Sequence, residues 1–115
     1  VIQIFGTTKC KATKAAQRFF SERSVKVQFV NLDQKGLSAG ELASVARAVG
    51  IRALYDPAKD PTPRFAAPTD AQLERALVEH PEWLVTPVVR RGTAAAVGRA
   101  EDQWRALHEA EKAAT

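Results

Sequence analysis

The chain has 115 residues, 45% hydrophobic and 26% charged, and a net charge of +4, a composition typical of one soluble domain large enough to bury a core. No run approaches the roughly 20 apolar residues needed to cross a bilayer, and the first residues lack the basic, apolar and small-residue regions of a secretory signal. A single cysteine excludes an internal disulfide, so the expectation is one domain over residues 1–115 in the cytoplasm.

Residues 1–5 alternate Ile2 and Ile4 with less apolar positions and read as a strand. Ala12, Ala15, Ala16, Phe19 and Phe20 then recur at helical spacing and predict an inward face, with Lys11, Lys14 and Arg18 outward. Val25–Val30 alternates with period two and is rich in β-branched residues, which predicts a second strand. A strand-helix-strand unit of this kind places its strands parallel. Ser38-Ala39-Gly40-Glu41 has the form of a capping box, and Leu42, Val45, Ala46 and Val49 follow on one helical face up to Gly50. Four of the six prolines, Pro57, Pro61, Pro63 and Pro68, fall in 56–68 and predict a long loop. Thr69-Asp70-Ala71-Gln72 caps the next helix, with Leu73, Ala76 and Leu77 inward and Pro81 closing it. Residues 87–90 and 94–97 flank Arg91-Gly92 as a hairpin. Glu101 and Asp102 suit the first turn of a last helix, which docks through Trp104 and Leu107. The order β-α-β-α-α-β-β-α predicts an α/β thioredoxin-like fold, with a mixed four-stranded sheet and a helical insertion.

Cys10 stands where the first strand gives way to the basic helix. A helix N-terminus carries partial positive charge, and Lys9, Lys11 and Lys14 add cations nearby. Both favour thiolate, the reactive form. The alternative is a small buried core residue. Residues 1–30 hold six basic residues against the single acid Glu22, whereas the rest of the chain carries eleven basic and twelve acidic residues. The positive field therefore surrounds Cys10 and suits an anionic small molecule or thiol. Lys11, Lys14 and Arg18 also fit the plainer role of a solvated helix face. The near-neutral remainder argues against a broad nucleic-acid surface, and Trp83, Trp104, Phe19, Phe20 and Phe29 read as core. His80 and His108 lack the spacing of a metal site. Gly6 and Gly36 form no phosphate loop.

The segment Gly6-Thr7-Thr8-Lys9-Cys10-Lys11-Ala12-Thr13-Lys14-Ala15-Ala16 resembles the arsenate reductase and transcription-regulator family of thioredoxin-fold proteins. That family carries a strand, a polar loop, a cysteine, and a basic residue four positions later, here Cys10 and Lys14. His80–Arg90 is similar to the family segment ending in a cis-proline at the third strand, here Pro87. Ala96–Trp104 is similar to its closing strand-to-helix turn, which contains Arg99. The resemblance implies that Cys10 is the nucleophile and that Lys14 lowers its pKa. It also implies that Arg99 holds an anionic oxygen, while Thr86 and the cis-Pro87 position a thiol partner. Thr8, Lys9, Lys11 and Thr13 complete the expected substrate and thiol-binding set.

Three positions depart from the family pattern. Thr86 replaces the arginine that precedes the cis-proline in arsenate reductases. Asp56 stands near a second arginine position, with Arg52 four residues earlier as a loose substitute. Thr13 replaces the second cysteine of the redox regulators, so oxidised Cys10 needs an external thiol to reset it. The expected function is a monothiol reductase acting on a small anionic substrate. Glutathione or glutaredoxin serves as the external reductant, without a bound cofactor or metal. The alternative from the same resemblance is a non-enzymatic regulator binding a protein such as RNA polymerase, or a member that keeps the fold without chemistry.

Overall fold

A computed structural model of the chain describes residues 2–59 and 69–114. Most of the expected proline-rich loop, including Pro61, Pro63 and Pro68, lies outside them, as does Val1 of the expected first strand. Four strands, β1 (Ile2–Gly6), β2 (Val27–Asn31), β3 (Val88–Arg91) and β4 (Ala94–Val97), form one sheet in the order β2-β1-β3-β4. β1 is parallel to β2 and antiparallel to β3, and β3 is antiparallel to β4. The helices are α1 (Lys11–Glu22), α2 (Ala39–Val49), α3 (Ile51–Leu54), α4 (Asp70–Glu79) and α5 (Glu101–Ala114), with a 3₁₀ turn at Pro81–Trp83. This is the mixed four-stranded α/β arrangement expected. The short α3 adds a turn after Gly50, where the sequence signals only a stop.

Strand alternation divides the core between the two faces of the sheet. Ile2 and Ile4 of β1, with Val89 and Ala96, pack against Ala16 and Phe20 of α1 and Trp104 and Leu107 of α5. Phe5 and Val88 point the other way, onto Leu42 and Val45 of α2, Leu54 of α3, and Leu73 and Leu77 of α4. Each of the valine, leucine, isoleucine and phenylalanine side chains contributes about 1.5–3 kcal/mol when fully buried. The two layers therefore clamp the central strands β1 and β3, and the loops leaving those strands inherit that rigidity.

Local signals explain the boundaries. Glu41 N–H donates to Ser38 Oγ at 3.1 Å and Ser38 N–H to Glu41 Oε1 at 2.9 Å, a complete capping box. Thr69 and Gln72 form the same pair ahead of α4. The buried line of α1 runs through Thr13, Ala16 and Phe20, while Ala12, Ala15 and Phe19 are only partly covered. The inward face is thus rotated by about one residue from the expected stripe. β2 starts at Val27 and not at Val25, because Val25 N–H is bound by Phe20 O at 3.0 Å in the turn that leaves α1. In the hairpin Arg91 pairs with Ala94, so the turn is Gly92-Thr93, with Gly92 at the positive φ of 58°.

Candidate thiol site

Cys10 occupies the N-cap of α1 with extended backbone, φ −80° and ψ 119°. Its N–H donates to Thr7 O at 3.3 Å, closing the turn out of β1, and its carbonyl accepts the first helical bond, from Lys14 N–H at 3.1 Å. A cap residue normally offers a side-chain oxygen to the free N–H groups of the first turn. Here that position holds sulfur, which completes no capping hydrogen bond of ordinary geometry. The thiol is partly buried and unpaired.

Thr86, 76 residues away, meets it across the sheet. Thr86 Oγ1 donates to Cys10 Sγ at 3.1 Å, and the thiol faces the Thr86 carbonyl at 3.7 Å. The hydroxyl contact, shorter and supplied by a donor, favours the thiolate; the longer carbonyl contact favours the thiol more weakly. Burial is the largest single influence on the Cys10 pKa and pushes it up. The Thr13 hydroxyl, the Thr86 hydroxyl and the backbone N–H groups of Thr13 and Ala12 pull it down, and together they prevail. The pKa lies below its ordinary value. Hydroxyl and backbone donors are the largest of the lowering influences. Thr13 is fully buried, and its Oγ1 completes no hydrogen bond.

Several contacts hold the Thr86 segment in place. The Thr86–Pro87 peptide is cis, and Pro87 is buried. Gly98 N–H donates to Pro87 O and Val85 N–H to Leu54 O, both at 2.8 Å. Lys59 Nζ donates to Leu84 O at 2.8 Å, a tether that the sequence alone does not signal. The Gly98 contact brings the start of the β4–α5 turn beside Pro87, which places the Arg99 backbone near the thiol segment. The Arg99 side chain itself is 62% exposed and lies 3.5 Å from Glu101.

Thr8, Lys9, Lys11 and Lys14 are exposed. Among the described residues the three lysine side chains have no ion-pair partner, so their charge faces solvent around the thiol. Arg52, the loose substitute for a clamp arginine, pairs with Asp70 at 3.1 Å. The Asp56 carboxylate accepts from Ala58 N–H at 3.0 Å and closes its own turn. The structure thus joins Cys10 and Thr86 directly, with Pro87 next in the chain after Thr86, and leaves the Lys14 and Arg99 side chains exposed to solvent. Gly6 is a further participant, closely packed on Thr13; a glycine inside a strand pattern signals such an approach. No cluster of metal-ligating side chains occurs among the described residues, and none of their helices is long and apolar enough to cross a membrane. A hollow of about 710 Å³ between residues 23–28 and the end of α5 shares no residue with this site.

No protein-family model matches the sequence, and no curated protein matches it. Solved structures do match in fold. The YffB protein aligns with TM-score 0.83 at 19% identity, covering 92% of this chain and 97% of that one. An arsenate reductase from Vibrio cholerae aligns with TM-score 0.74 at 20% identity, covering 91% and 95%. An arsenate reductase-related protein from Brucella melitensis aligns with TM-score 0.68 at 20% identity, covering 91% and 92%. The chain therefore has the fold of the arsenate reductase-like structures.

Proposed function

We propose that this protein is an arsenate reductase-like monothiol oxidoreductase, with Cys10 as nucleophile. The observation that carries the reading is the partly exposed sulfur at a helix N-terminus, with the Thr86 hydroxyl at 3.1 Å and a pKa lowered by surrounding donors. The thiolate attacks the central atom of an oxyanion, and one oxygen leaves as water, forming a sulfur–substrate bond. A thiolate of the external reductant then attacks Cys10 Sγ. The bonding pair passes to the substrate atom, which is reduced, and Cys10 is left in a mixed disulfide. A second external thiol regenerates Cys10 and carries away the oxidised pair.

Lys9, Lys11 and Lys14 supply the attraction for an anion, and Arg99 supplies a guanidinium if its pairing with Glu101 opens. Thr86 and Pro87 position the incoming thiol, glutathione or the cysteine of a glutaredoxin. A cytoplasmic, thiol-rich setting suits this cycle, because the chain has one cysteine and depends on an outside reductant. The missing arginine at Thr86 and the commitment of Arg52 to Asp70 make arsenate a demanding substrate, since bidentate guanidinium contacts are the strong ones. The test is arsenate-dependent consumption of glutathione, with and without glutaredoxin. Turnover that disappears in Cys10→Ser supports the reading. No turnover, with the thiol still reactive, removes arsenate and retains the thiol site.

A further inference from the structure

β2 stands at one end of the sheet order β2-β1-β3-β4, so one of its long sides meets no strand among the described residues. The direction of its backbone groups follows from a single contact. Leu32 N–H donates to Gly6 O at 2.8 Å, which turns the even positions of this segment toward β1. Neighbouring residues of a strand face opposite ways, so Val27 and Phe29 present their N–H and C=O groups outward. Edge strands are usually guarded by charge, proline or a bulge. Val27-Gln28-Phe29-Val30-Asn31 carries no charge and no proline, and it pairs with β1 without a bulge. The Gln28 side chain lies along the sheet, where its Oε1 accepts from Gln3 Nε2 at 3.0 Å.

The hollow of about 710 Å³ lies at the start of this edge, with Val25 and Val27 as an apolar wall and His108 and Lys112 of α5 opposite. Its rim is basic. The Arg23 guanidinium is held over the Phe19 ring at 3.7 Å and donates to Phe19 O at 3.0 Å, which fixes its place without neutralising its charge. Lys26 is exposed and has no ion-pair partner among the described residues. Glu111, the acid among the described lining residues, is bound to Arg91 at 2.9 Å. Exposed Arg18, Lys14 and Lys11 continue the positive field along α1.

We infer that the open edge of β2 is a docking site for an extended acidic segment of a partner protein, which adds as a strand and seats one apolar side chain in the hollow. Strand addition supplies main-chain hydrogen bonds, and the hollow supplies the choice of side chain. A residue opposite Val27 shares its face of the sheet, the α1 and α5 side, and so points toward the hollow. Charge selects the occupant. A second copy pairing through this edge would set two basic rims against each other. A nucleic acid would suit the rim but leave the strand edge unpaired. An acidic polypeptide satisfies both. The site shares no residue with the thiol site and stands whether or not Cys10 is a nucleophile.

The test begins with the free protein. Residue-resolved hydrogen exchange should find the Val27 and Phe29 amides unprotected and the Val30 amide, which faces β1, protected. Protection at Val27 and Phe29 overturns the open edge. Peptides are then selected on wild type from a random phage-displayed library, and the selected sequence is labelled for fluorescence anisotropy. Acidic sequences with an apolar side chain are expected, with new protection at Val27 and Phe29 on binding. K26E should weaken binding several-fold, as should added salt. V27P should weaken it too, because the N–H it removes points outward and the β1 ladder stays intact. Lys26 is solvated, so K26E decides the matter if V27P does not fold. Selection that yields no peptide, basic peptides, or peptides indifferent to both variants overturns the proposal. So does a concentration-dependent dimer that V27P dissolves, which assigns the edge to a second copy. Tighter binding of a labelled single-stranded oligonucleotide than of any selected peptide also overturns it and assigns the rim to nucleic acid.

Discussion

At Cys10 burial and hydrogen bonding oppose each other, and the donors decide the outcome. Thr86→Val removes the hydroxyl at 3.1 Å while keeping the side-chain shape. We expect the Cys10 alkylation inflection to rise and the rate at pH 6 to fall several-fold, measured with iodoacetamide on the folded protein. The same ionisation makes stability depend on pH. The folded pKa is depressed, so between it and the unfolded value of about 8.5 the unfolded chain binds more protons. Stability therefore rises with pH through that window and is lost as pH falls through the folded pKa. Denaturant unfolding at several pH values should show this slope in wild type and lose it in Cys10→Ser. Of the residues around the sulfur, Cys10 was legible from its place at a basic helix start, and Thr13, Thr86 and Pro87 only through the family resemblance. The agent of its activation was not. A lysine four residues along suggests a cation at the sulfur, but Lys14 is exposed, and a long stem lets its ammonium remain in water. A threonine has no such freedom, so its short hydroxyl stays where the backbone puts it.

Elements with strong local chemistry came through clearly. The Ser38 and Thr69 capping boxes form as their spacing implies, and Ser38→Ala should cost about 1 kcal/mol, read as a lower midpoint in urea with unchanged slope. Trp104 is the largest fully buried side chain and packs beside Phe19 at 5.8 Å between ring centroids. Trp104→Ala should cost about 3–5 kcal/mol and separate α5 from the sheet, visible as a large fall in thermal midpoint. Elements set by tertiary contact were harder to place. In α1 the alanines give a stripe one residue off the buried line, which runs through Thr13, packed closely on Gly6. Val25 carries the β-branched signature of a strand, yet its N–H is taken by the end of α1. The tether from Lys59 to Leu84 O joins residues 25 apart with no shared pattern, so nothing in the chain announces it.

Across the whole molecule the sheet acts as the frame that brings four separate segments together. β1 delivers Cys10, Thr86-Pro87 lead into β3, β4 returns Gly98 to Pro87 O, and the 54–59 segment ties down Leu84 and Val85. The parallel pair and the hairpin were readable because each has its own sequence pattern, whereas the order β2-β1-β3-β4 was not. Charge is distributed just as unevenly, with Lys9, Lys11 and Lys14 around the thiol and without ion-pair partners among the described residues. Iodoacetate should therefore react faster than its charge alone would allow at low salt, and slow as ionic strength rises, while neutral iodoacetamide changes little. Equal salt responses would remove the electrostatic part of the account. The central claim is that this fold holds Cys10 ready as a thiolate. Its most direct test is the rate of iodoacetamide alkylation of the wild-type protein as a function of pH. The account predicts an inflection clearly below about 8.5 that moves up to that value on unfolding; an inflection at or above that value in the folded protein would contradict it.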